Sequence, residues 1–121
     1  MHEETLAAPT RKLFGKLNQY PWLSDFYLAG GTALALRLGH RTSVDLDFFT
    51  AAPFDESILI QNLAPGGNLE VLKKEQRSVI GILDDVKFSF LGYSYPLLCP
   101  ADMFDGVRIA SVEDIACMKL D

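Results

Sequence analysis

The 121 residues predict an α+β domain, a mixed and largely antiparallel sheet flanked by helices. Three observations carry that prediction. Residues 26–50 run as a short apolar strand, a glycine pair, a slim helix and a second strand. Residues 69–91 fall into three short strand-like runs separated by two-residue spacers, and amphipathic helical stretches stand before and between these units.

The first element spans about Pro9 to Tyr20, with Leu13, Phe14 and Leu17 at helical spacing and Arg11, Lys12 and Lys16 interleaved. That pattern is an amphipathic helix covering one side of a sheet, its basic residues a solvated face. Pro21 ends it, and Trp22 and Leu23 anchor the connection to a strand at Phe26–Ala29. Gly30 and Gly31 follow. Without a Cβ they let the chain turn sharply and approach a ligand, and the free N–H groups at the start of the next helix attract an anion. Thr32 adds a hydroxyl donor. The helix runs from Thr32 to Leu38: Ala33 and Ala35 keep it slim, Leu34 and Leu38 share a stripe, and Gly39 is a C-terminal stop.

Strand alternation places Arg41, Ser43, Asp45 and Asp47 on one face and Val44, Leu46 and Phe48 on the other. The apolar set faces the core, so both carboxylates face away from it, roughly 6 to 7 Å apart along the strand. Two such anions persist side by side most easily around a cation. A hard divalent ion such as magnesium, which takes oxygen ligands and keeps positions for phosphate, fits. Taken alone, the glycine pair is also the pattern of an ordinary turn, and Asp-x-Asp that of a wet strand face.

Ala51-Ala52-Pro53 breaks the strand, and Phe54–Ala64 reads as a helix with Ile58, Leu59 and Leu63 buried and Asp55 or Ser57 as its cap. Pro65-Gly66-Gly67-Asn68 is a turn without a phosphate role. Strands at Leu69–Glu75, Ser78–Leu83 and Val86–Leu91 then form an antiparallel meander. In the third, Val86, Phe88 and Phe90 share one face, with Lys87, Ser89 and Leu91 on the other. A loop from Tyr93 through Pro100 leads to a short strand at Val107–Ile109. Ser111 and Asp114 form a capping box for a helix whose apolar arc holds Val112, Ile115, Ala116, Met118 and Leu120. Lys119 falls in the middle of that arc, where its head either snorkels to water or enters a polar cavity.

The length and the 49% apolar content are those of one soluble globular domain. A net charge of −5 argues against a surface built for strong non-specific binding of nucleic acid. No apolar run reaches membrane-spanning length, and residues 1–9 have neither the basic nor the apolar part of a secretory signal, so the expected compartment is the cytoplasm. Cys99 and Cys117 are expected to be unpaired, and His40 to serve the helix C-terminus rather than catalysis.

The run Gly30-Gly31-Thr32-Ala33-Leu34, followed by Arg41-x-Ser43-x-Asp45-Leu46-Asp47-Phe48-Phe49, resembles the nucleotidyltransferase toxins of the AbiEii/AbiGii type, within the DNA polymerase β-like nucleotidyltransferase superfamily. The resemblance covers Phe26 to the last residue and implies a nucleotidyltransferase core over residues 1–121. Family members continue into a mainly helical C-terminal part that this sequence does not contain. The resemblance implies that Gly30, Gly31 and Thr32 hold a triphosphate, that Asp45 and Asp47 bind Mg2+, and that Arg41 and Ser43 are the polar positions before them. It also places Lys119, within Glu-Asp-Ile-Ala-Cys-Met-Lys-Leu, in the active site. The implied activity moves a nucleotidyl group from a nucleoside triphosphate to an acceptor hydroxyl, RNA or tRNA. The protein would be the toxin of a toxin-antitoxin or phage-defence system, held in check by a cognate antitoxin protein.

One departure stands out: Ser89 occupies the strand position where the superfamily brings a third acid. A serine carries no charge to replace a carboxylate on magnesium. A single-metal mechanism, an acid from Glu70 or Asp85, or loss of activity would each accommodate it. A nucleotide-binding module without catalysis and an interaction domain are therefore the alternatives.

Overall fold

A computed structural model describes residues 1–120, with the side chains of residues 119 and 120 outside the described set. In chain order the elements are α1 (Ala8–Leu17), β1 (Tyr27–Ala29), α2 (Gly30–Leu38), β2 (Leu46–Thr50), α3 (Glu56–Leu63), β3 (Leu69–Glu75), β4 (Ser78–Leu83), β5 (Val86–Gly92), β6 (Asp102–Phe104), β7 (Val107–Ile109) and α4 (Val112–Leu120). The strands form one seven-stranded sheet in the order β3-β4-β5-β2-β1-β7-β6. The β2/β5 and β1/β7 pairs are parallel and the other four antiparallel. This is the mixed, mostly antiparallel α+β architecture expected from the sequence.

Register sorts the side chains into two faces. Leu28 pairs with Phe48 and Ile109, Phe48 with Phe90, Leu46 with Phe88, and Val79 with Phe90, so all of these share one face. Every one is buried. Phe90 is the hub: Phe48 stacks on it at 4.9 Å between centroids, and Phe26, Phe88 and Trp22 meet it at 5.0, 5.6 and 5.8 Å. Leu13, Phe14 and Leu17 of α1 and Leu59 and Leu63 of α3 join the same core. The opposite face carries Asp47, Phe49, Ser89 and Leu91, of which only Ser89 is fully buried.

Local chemistry sets the boundaries. Pro9 sits in the first turn of α1, where a missing N–H costs nothing. Gly39 closes α2 in the left-handed region, at φ 66°. Asp55 caps α3 by accepting from Ile58 N at 3.0 Å. The β4–β5 turn places Asp84 and Asp85 at positive φ without glycine. Asp84 is braced there by Lys16 Nζ at 2.9 Å and Asn68 N at 2.9 Å, and its carboxyl is held below the usual range by those two hydrogen bonds. Cys99 and Cys117 are free thiols, and no helix among the described residues is long and apolar enough to cross a membrane.

Several expectations need correction. Val44 does not join the core face; it is 56% exposed, because β2 begins only at Leu46. The chain before it is held instead by the N-terminal segment: Ser43 N donates to Thr5 O, Ala7 N to Ser43 O, and Thr10 Oγ1 to Val44 O. Ile58 is 54% exposed, since the buried stripe of α3 is the i, i+4 pair Leu59 and Leu63. Helix α1 stops at Leu17, and Pro21 opens a separate 3-10 turn over Pro21–Asp25. Ala116 is exposed rather than part of a buried arc, although Ile115 is fully buried. Strand β6 was not anticipated at all. It pairs with β7 across Asp105-Gly106, both at positive φ, as a two-residue Asp-Gly hairpin requires.

Candidate functional site

The β1–α2 turn and the start of β2 meet. Ala29 pairs with Asp47 across the β1/β2 ladder, so the residue after the strand, Gly30, lies over that carboxylate. A Cβ on Gly30 would stand 2.6 Å from Asp47 Oδ2, and one on Gly31 2.7 Å from Arg41 Nη2. Only glycine lets an acid and a guanidinium press this closely on the first turn of a helix. Gly30 also sits at φ 70°, which disfavours any side chain.

Thr32 is buried, and its hydroxyl faces inward. Its Oγ1 donates to the carbonyl of Asp45 and lies 2.6 Å from Ser43 Oγ. A threonine has one hydroxyl hydrogen, so with that hydrogen on the carbonyl Ser43 becomes the donor to Thr32. The pair therefore fastens residues 43–45 to the start of α2. It leaves the Asp45 side chain exposed beside the turn.

Asp47 is half-buried in β2, two residues beyond Asp45 and separated from it by the fully buried Leu46. Across the parallel β2/β5 pair it faces Ser89, whose Oγ donates to Asp47 Oδ1 at 2.7 Å. The serine thus stands where a third acid was sought, and it orients a carboxylate instead. Neither alternative acid reaches this place. Glu70 lies on the edge strand β3, three strands and about 14 Å from β2. Asp85 sits in the turn before β5, four residues or about 13 Å from Ser89.

The structure therefore brings together Gly30, Gly31, Thr32, Arg41, Ser43, Asp45, Asp47 and Ser89. The side chain of Lys119 lies outside the described residues. Among the described residues no three His, Cys, Asp or Glu side chains cluster as a metal cage. Two carboxylates with a supporting hydroxyl suit a hard divalent ion that draws its remaining oxygens from water and phosphate, the habit of magnesium. Sequence reasoning found the glycine turn and the acids but missed that Thr32 and Ser43 bond each other, because that contact forms only once the loop after Gly39 folds back.

Helix α4 is fixed at its start by Asp114. Ser111 Oγ donates to Asp114 Oδ2 at 2.8 Å while accepting from Asp114 N at 3.1 Å. The same carboxylate accepts from the backbone N–H groups of Leu98 at 2.6 Å and Cys99 at 3.0 Å. Burial pushes its pKa up, but the hydrogen bonds outweigh it and hold the group below its ordinary value.

The fold is shared with two solved Helicobacter pylori chains. JHP933 from Helicobacter pylori superposes with a TM-score of 0.62 at 22% identity, covering 99% of this chain and 57% of that one. A second H. pylori structure, provisionally described as a nucleotidyltransferase, gives 0.58 at 23% identity, covering 99% of this chain and 59% of its own. The family profile described as "Nucleotidyl transferase AbiEii toxin, Type IV TA system" matches residues 11–91, and the chain belongs to that family. An uncharacterized protein of Aquifex aeolicus (strain VF5), aq_aa25, is 47% identical over 100 residues, which cover 79% of this chain and 48% of the relative. The chain thus spans about half the length of this curated relative.

Proposed function

We propose that this chain carries the nucleotide-binding and catalytic part of a magnesium-dependent nucleotidyltransferase, a toxin acting in the cytoplasm on an RNA acceptor such as tRNA and restrained by a cognate antitoxin. The observation that carries the reading is the approach of Asp47 Oδ2 to Gly30, where a Cβ would stand only 2.6 Å away. That closeness puts an acid able to take a divalent ion directly beside the N–H groups of the first turn of α2, which attract an anion, so a metal and a phosphate would be held side by side.

In this reading Asp45 and Asp47 hold the ion, and Ser89 fixes the rotamer of Asp47 through its 2.7 Å hydrogen bond. Magnesium, when bound, neutralises charge on the triphosphate. The N–H groups of Gly30, Gly31 and Thr32 at the first turn of α2 bind phosphate oxygens, and the Arg41 guanidinium over Gly31 adds a cation beside them. Thr32 and Ser43 serve by positioning Asp45. The acceptor hydroxyl attacks the α-phosphorus, its proton passing to solvent and its oxygen forming the new ester as pyrophosphate departs. Lys119 is assigned to the developing charge on its motif alone.

Ser89 favours a second reading, a nucleotide-binding module that no longer transfers. Calorimetry with ATP, CTP, GTP and UTP in magnesium, run beside incorporation of labelled nucleotide into RNA, separates the two. Binding with incorporation establishes the transferase, and binding without it establishes the module.

A further inference from the structure

We propose that the groove at the other end of this sheet face is the acceptor subsite, binding one nucleotide of single-stranded RNA. A phosphate oxygen accepts there from Tyr27 Oη and Arg108 Nε, with a base against Tyr95. The inference rests on the transferase reading and gives it a place for the acceptor.

Tyr27 is 4% exposed, yet its hydroxyl has no partner among the described residues, and neither has the buried Nε of Arg108. Each such unmet donor costs about 1–3 kcal/mol. The two are direct neighbours, since Tyr27 pairs with Arg108 in the parallel β1/β7 ladder. Both line a groove of about 500 Å³ with Thr50, Tyr95 and Leu97, in the range of a small-ligand site. Two unmet donors on neighbouring residues of one groove, one of them cationic, call for an anionic acceptor. Burial foremost, and then the Asp114 carboxylate, raise the Tyr27 pKa, with Arg108 opposing them, so the phenol remains a donor at neutral pH.

The choice of nucleic acid over another anion comes from the rings. Tyr27 stacks on Phe49 at 6.1 Å, Phe49 meets Tyr93 at 6.2 Å, and Tyr93 meets Tyr95 at 5.4 Å. Tyr95 is 65% exposed at the groove. An aromatic run with a cation at its edge is the surface on which single-stranded bases stack. The row of Tyr27 and Phe49 lies two residues from that of Ala29 and Asp47, about 7 Å along the same face. Asp25 also lines the groove, and its exposed carboxylate stays in water. With a single phosphate engaged, the logarithm of affinity should fall against the logarithm of salt with a slope of about −0.7.

The test uses a fluorescein-labelled uridine octanucleotide with a free 3′ hydroxyl, followed by anisotropy, beside calorimetry with Mg·ATP. Tyr27→Phe, which removes one oxygen, should weaken octamer binding about fivefold and Arg108→Gln about tenfold, while Mg·ATP binds as before. Crosslinking of a 4-thiouridine octamer to the unaltered chain should map to Tyr95 or Tyr27, which keeps the idea testable if Arg108→Gln fails to fold. No octamer binding, unchanged binding in both variants, or crosslinks elsewhere would overturn it. Loss of Mg·ATP affinity in the variants would also overturn it, by giving the groove to the donor nucleotide. Failure of the unaltered chain to bind Mg·ATP, with octamer binding still sensitive to Tyr27 and Arg108, would instead sink the transferase reading.

Discussion

The two faces of the central sheet are built from alternate residues of the same strands and do opposite work. In β2, Leu46, Phe48 and Thr50 are buried while Asp47 and Phe49 are half-open. In β5, Phe88 and Phe90 pack into the aromatic hub while Ser89 reaches across to Asp47. The apolar face holds the molecule together, and the polar face is free to place charge where folding alone would not. Neighbouring substitutions along one strand should therefore separate cleanly into loss of fold and loss of binding.

Phe48→Ala should have the largest effect. It removes a fully buried ring stacked on Phe90 and should cost about 3–5 kcal/mol in denaturant unfolding. A cost below about 1 kcal/mol would mean the aromatic hub is not the core. Thr32→Val comes next, at about 1–3 kcal/mol, because it keeps the shape but strands the Asp45 carbonyl and Ser43 hydroxyl that Thr32 now joins. It should also weaken Mg·ATP binding, as Asp45 loses its anchor; unchanged affinity would detach Asp45 from the site.

Asp114 offers a comparison by pH. Its folded pKa is depressed, so its contribution is full above the ordinary aspartate value and is lost as pH falls through the lower folded one. Asp114→Asn should lower stability at pH 7 and flatten the acid limb of a stability-against-pH curve. An acid limb as steep as that of the unaltered chain would show that other carboxylates govern it. Ser89→Ala should be the mildest, about 0.5–1.5 kcal/mol, with a several-fold loss of Mg·ATP affinity as Asp47 loses its orienting bond.

Much of this architecture was legible in the residues, and the exceptions share a cause. The three strands of the meander over residues 69–92 begin and end within one residue of where the sequence puts them, because each is bounded by its immediate neighbours in sequence. The glycine turn and the Asp-x-Asp pair announced themselves through residue type. By contrast, where β2 begins is decided by the N-terminal segment gripping Ser43, a contact between distant parts of the chain, and Val44 was misplaced for that reason. Strand β6 is three residues long and mostly exposed, so its apolar pattern is weak; the Asp105-Gly106 pair was the local signal that marks it. The Tyr27–Arg108 neighbourhood had no local signal, since a parallel ladder joins them.

The claim on which the account turns is that the first turn of α2 and the two acids form one site. Mg·ATP should be titrated calorimetrically into the unaltered chain and into Asp45→Ala and Asp47→Ala, with a thermal melt of each. The account predicts magnesium-dependent binding that either substitution abolishes, with both variants folded: Asp45→Ala melting close to the unaltered chain, and Asp47→Ala somewhat lower because the Ser89 hydroxyl loses its acceptor. Retained binding in both variants, or their unfolding, would contradict it.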